Sequence, residues 1–122
     1  MKIEYPDVVI RSQKDIPAGG RCVYVLEVRP GLYKIGCTKN LKTRLRAHVW
    51  NEITKFRRAD MVRLVAIVNT DDYRRVERKI LDSITVFPEG NIDRGEVFRI
   101  PGDELIDSIE HSLFYMNRFK NP

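Results

Sequence analysis

The chain lacks several features that would assign it quickly. No apolar run approaches the roughly 20 residues needed to span a bilayer, so no membrane-crossing segment is expected. The opening stretch MKIEYPDVVI has no apolar h-region, and no secretory signal is expected from it. There are two cysteines, Cys22 and Cys37, and no Cys/His cluster has zinc-site spacing. They fit a reducing setting, cytoplasmic or inside an infected host, and read as small buried thiols. Neither an internal repeat nor a low-complexity tract occurs, which excludes solenoids and arrays. A length of 122 residues supports one domain with a single core.

What is present is an uneven distribution of charge. The net charge is +5. Residues 1–28 balance four basic against four acidic side chains, and residues 95–122 carry three against five. Residues 29–94 carry fifteen basic and eight acidic side chains, so the positive charge sits in the middle of the chain. Such a stripe suits a phosphate backbone, and equally a solvated basic face.

Periodicity and breakers give a coarse order of elements. Residues 1–20 read as an N-terminal arm with a short strand near Asp7–Ile10, ended by the breakers of IPAGG. Two β-prone runs, 22–28 and 32–37, flank Arg29-Pro30-Gly31 and predict a hairpin. Residues 39–50 predict a helix capped by Thr38 or Asn40. A buried strand over 61–69 and a helix over 71–84 follow, the helix with two acids at its positive end. The loop FPEGNIDRG leads to a short strand in EVFRI, and an amphipathic helix closes the chain. Hairpin, helix, strand, helix, strand, helix makes an α+β domain with a small sheet.

Three places in this plan carry unusual side chains. In the hairpin, the expected register sets Val28 against Leu32, Tyr24 against Gly36 and Leu26 against Lys34. Tyr24 and Lys34 then share a face as diagonal neighbours, and Gly36 leaves room for a ligand backbone. A slip of one residue would exchange Lys34 for Tyr33. In the helix over 71–84, Tyr73, Val76, Ile80, Leu81 and Ile84 form an apolar arc, and Glu77 falls inside it. A carboxylate there is either paired with an arginine or bound to a hard metal ion. In the helix over 39–50, Arg44 and His48 flank the apolar stripe of Leu41, Leu45 and Val49 as i,i+4 neighbours. An arginine near a carboxylate-held ion suits a phosphate, while His48 is either part of that site or a core histidine.

These residues, in this order, resemble the GIY-YIG nuclease superfamily. CVYVL stands for its first motif, with Tyr24. YKIGCTKNLKTRL stands for the second, with Gly36, Asn40-Leu41 and Arg44 in step. YRRVERKIL supplies Glu77 at the position of the metal-binding glutamate, and His48 matches a histidine of several members. Asn91 is a looser match to a downstream asparagine, and RGEVFRI is similar to a segment of a phage and bacterial branch. That branch writes Lys-Ile-Gly for Tyr-Ile-Gly, which explains Lys34. The likeness covers residues 21–100, with 101–122 as a helix packed on the same domain. Cys22-Val23 replaces Gly-Ile, and Tyr33 stands one step before the usual tyrosine.

The resemblance implies metal-assisted hydrolysis of DNA, with RNA offering the same phosphodiester. Glu77 would hold Mg²⁺ or Mn²⁺. Tyr24 would act as base or position water, Lys34 would lower its pKa or contact the phosphate, Arg44 would stabilise the pentacovalent phosphate, and His48 would act on Tyr24 or the water. Tyr33, Gly36, Lys39, Asn40, Lys42, Arg46 and Asn91 are the expected substrate contacts. The alternative is a nuclease-like module that grips nucleic acid or protein without cutting.

Overall fold

The computed structural model describes residues 1–47, 62–84 and 97–120. The expected helix continuation over 48–50, the loop over 87–95, His48 and Asn91 lie outside them. Six strands form one antiparallel sheet: β1 (Lys2–Glu4), β2 (Val8–Val9), β3 (Cys22–Arg29), β4 (Leu32–Thr38), β5 (Arg63–Asn69) and β6 (Val97–Arg99). They lie in the order β1-β5-β3-β4-β6, with β2 also on β5. A helix, α1, covers residues 41–47; α2 spans Tyr73–Ile84 and α3 spans Gly102–Lys120. The expected α+β class is thus observed.

The central strand β3 is apolar at every position from Cys22 to Leu26 because both its faces are covered. Alternation along the strands divides the interior into two layers. Tyr24, Leu26 and Val28 join Leu41 and Leu45 of α1, with Ile10 and Ile16 of the arm, on one face. Val23, Val25 and Ile35 join Val76, Ile80 and Ile84 of α2 and Leu105 and Ile109 of α3 on the other. Three of the five residues of the expected α2 arc, Val76, Ile80 and Ile84, are therefore core residues, and Tyr73 and Leu81 pack against them.

The hairpin register holds where it matters for the site. Tyr24 pairs with Gly36, Val25 with Ile35 and Leu26 with Lys34. At the tip the expected Val28–Leu32 pair is replaced by Arg29–Leu32, after a bulge between Glu27 and Arg29. The bulge shortens the loop to Pro30-Gly31, and Gly31 takes φ 77°, where a side chain would be strained. Proline followed by a positive-φ glycine is the signature of a type II turn.

The arm contributes more than the one expected strand. β1 pairs with β5 through Lys2–Asn69, Ile3–Val68 and Glu4–Ile67, and β2 pairs further along the same strand. The Tyr5 hydroxyl donates to the Glu110 carboxylate, tying the arm to α3. The sequence gives little sign of β1, because a three-residue strand is too short for a period to register.

Asn40 is the N-cap of α1. Its Oδ1 accepts from the Thr43 amide at 3.1 Å, and its own amide donates to Thr38 Oγ1 at 3.1 Å. Asn40→Ala should lower unfolding stability by about 1 kcal/mol, with Asn40→Ser restoring most of it. Urea denaturation of the three proteins measures this.

Candidate active site

The pairing of β4 places the site. β6 pairs with Leu32, Tyr33 and Lys34 only, and among the described residues no strand pairs with the outer side of Ile35–Thr38. Past this open edge, α1 lies on one face of the sheet and α2 on the other. A cleft of about 280 Å³ straddles it, lined by Tyr24, Lys34, Ile35, Gly36, Cys37, Arg44, Glu77 and Leu81. Even-numbered strand positions supply one side of the cleft and odd-numbered positions the other.

Tyr24 is 1% exposed. Gly36 makes its position possible: a Cβ at residue 36 would stand 2.4 Å from the phenol oxygen. The space expected to admit a ligand backbone is thus taken by the Tyr24 ring. Burial raises the phenol pKa, while a hydrogen bond and positive charge from Arg44 pull it down; the charge of Glu77 raises it further. The lowering influence comes from Arg44; Lys34 was expected either to lower this pKa or to contact the phosphate.

Lys34 and Tyr33 part at the strand. Lys34, 7% exposed, lines the cleft on the Tyr24 face. Tyr33 lies in the opposite layer, where its hydroxyl donates to Glu27 Oε2 at 2.9 Å. Burial and then that carboxylate push its pKa up to about 12. The register has not slipped, and Tyr33 lies away from the cleft as a core tyrosine rather than as the expected substrate contact.

Glu77 is half-buried at the cleft wall. Its hydrogen-bond partner is the Cys37 thiol, so the expected alternatives, an arginine or an ion, do not exhaust its surroundings. Burial, then the bond to Glu77, push Cys37 up to about 11. The thiol is therefore protonated near neutral pH, and its sulfur is a soft donor ill-matched to a hard ion such as Mg²⁺. Glu77 offers a hard oxygen donor, and among the described residues no group of three His, Cys, Asp or Glu side chains could hold an ion. One carboxylate completed by water and a substrate phosphate fits Mg²⁺, whose protein ligands are usually few.

The other expected contacts are spread along the surface. Lys42 and Arg46 are exposed on α1. Lys39 lies in a neighbouring depression with Arg21, Asp71, Asp72, Tyr73 and Arg74. Asn40 is engaged in capping. Sequence reasoning missed Cys37, Leu81, Arg74 and Arg78, which line the cleft or the pocket beside it. For the α2 residues the signal was available, since positions 74 and 81 stand three and four residues from Glu77, and position 78 stands four from 74.

The fold and cleft together define a small α+β domain with a polar cleft at a sheet edge. Residues 21–112 match the model of the T5orf172 domain, and the chain belongs to that family. No curated protein matches the chain, nor does any solved structure. Among the described residues no helix is long and apolar enough to cross a membrane.

Gly36→Ala tests the contact at the centre of the cleft. The added methyl meets the Tyr24 ring on a rigid strand, so about 1–3 kcal/mol of stability should be lost. Combined with Tyr24→Ala, which removes the ring, Gly36→Ala should cost less than it does alone, and thermal unfolding of the two single variants and the double variant shows this coupling.

Proposed function

We propose that the chain is a divalent-metal-dependent DNA endonuclease of the GIY-YIG type, from the branch that writes Lys-Ile-Gly for Tyr-Ile-Gly. The observation that carries this reading is the convergence of Tyr24, Lys34, Arg44 and Glu77, from two strands and two helices, on one cleft. Membership of a family related to phage nuclease-like folds supports it.

Glu77 is the residue that would hold Mg²⁺ or Mn²⁺. The bound ion would supply Lewis-acid stabilisation of the scissile phosphate and the leaving 3′-oxygen. Tyr24 enters the reaction as a neutral phenol, since burial raises its pKa. In that form it orients the attacking water; to act as base it must first lose its own proton, which Arg44 favours. Arg44 also presents a forked donor to the charge that grows on the phosphate. Lys34 contributes a positive charge to the cleft wall. His48 keeps its expected part, acting on Tyr24 or on the water.

Plasmid and single-stranded DNA incubated with Mg²⁺, Mn²⁺ or EDTA test this reading. Metal-dependent nicking that disappears in Glu77→Gln is the expected result. A salt-sensitive mobility shift without nicking would overturn it in favour of a non-cutting binding module. In single-turnover assays Arg44→Lys should lower the rate by roughly 10²-fold with little change in affinity, because charge is kept and the fork is lost. Lys34→Ala should reduce cleavage strongly and Tyr33→Phe hardly at all. If Tyr24 is the base, its raised pKa makes the rate climb about tenfold per pH unit above neutrality. Tyr24→Phe should flatten that profile.

A further inference from the structure

On α2, Arg74, Glu77, Arg78, Leu81 and Asp82 stand at i, i+3, i+4, i+7 and i+8, which puts them on one stripe of the helix. All five, with Cys37, line a second pocket. It shares Cys37, Glu77 and Leu81 with the catalytic cleft, so the two form one continuous groove past Glu77. The catalytic half holds Tyr24, Lys34 and Arg44; the other half holds two arginines that the proposed chemistry does not use. Arg74 and Arg78 are about 6 Å apart along the helix axis, at 1.5 Å per residue. That step is comparable with the separation of neighbouring phosphates on one strand.

We propose that Arg74 and Arg78 form a phosphate track that holds the nucleic-acid strand on the side of Glu77 away from Tyr24. The track is short. Asp71 and Asp72 line the depression at its Arg74 end, and Asp82 lies one turn past Arg78. Carboxylates at both ends repel further phosphates, so the stripe takes two. Arg75 lies on the same helix but outside the groove, 3.6 Å from Asp72 in an ion pair. It serves as the internal control. Arg74 keeps its guanidinium 5.8 Å from the Tyr73 ring, a contact that limits its freedom at the mouth of the track. The inference rests on the nuclease reading for the position of the scissile phosphate, and its test is a binding measurement in which no cleavage occurs.

The experiment titrates a fluorescent DNA oligonucleotide with the full chain in EDTA over a range of salt concentrations. Each neutralised phosphate adds about 0.7 to the log–log salt slope for single strands and about 0.9 for duplex. Arg74→Ala/Arg78→Ala should lower the slope by roughly 1.4 or 1.8 respectively, and each single variant by half that. Arg74→Lys/Arg78→Lys should keep the wild-type slope, and Arg75→Ala should leave it unchanged. The single variants decide the matter if the double one does not fold. Equal slopes for the alanine variants and wild type, a loss in the lysine variant as large as in the alanine one, or no salt-dependent binding by the wild-type chain would each overturn the proposal. Nicking in Mg²⁺ is scored separately, so salt-dependent binding through the two arginines without nicking sinks the nuclease reading and leaves the track standing.

Discussion

The contact between the Tyr24 ring and Gly36 across the hairpin governs the site. A tyrosine this deep in a sheet needs a vacant position opposite it, and glycine is the one residue that leaves it vacant. Once that pair is set, period-two alternation does the rest. Lys34 must lie on the tyrosine's face, Tyr33 and Cys37 on the other. A shift of one residue would break all four placements together.

Helix geometry then completes the cleft from two sides. Leu41 and Leu45 anchor α1 by their burial, which leaves Arg44 beside the phenol. Val76, Ile80 and Ile84 anchor α2, which turns Glu77 toward the open edge of β4. Neither helix supplies a site alone. Arg44 and Glu77 act on Tyr24 in opposite directions: the guanidinium favours the phenolate, and the carboxylate opposes it. A divalent cation at Glu77 would offset the second effect, so metal binding and the acidity of the tyrosine would be linked.

Much of this was legible in the residues. The strands and helices of the interior follow from apolar periods, and the hairpin register at the site matches the expected one because the bulge at Val28 makes up for a loop one residue shorter than expected. The anomaly at Glu77 was visible because a charge inside an apolar arc demands a reason. The rest depends on contacts distant in sequence. Periodicity cannot say that Cys37 bonds to Glu77, since forty residues separate them and either could have met another partner. Nor could it give the tip of the hairpin, where a bulge at Val28 alters pairing without changing composition. Asn40 was expected both as a candidate cap, from its place before a helix, and as a contact to substrate, from the resemblance; the structure shows it as the cap.

The arm's attachment to β5 has a consequence for the order in which the fold can form. β3 and β4 meet across two residues, whereas Lys2 must wait for Asn69. Closing the longer loop carries a larger entropic penalty and is repaid by short strands. The hairpin that bears Tyr24 and Lys34 is thus a natural nucleus, and β1 and β2 are late additions at the rim. In the native state the same hierarchy runs backwards: the rim strands open at lower free energy than the centre, and amide exchange there proceeds while the hairpin stays closed.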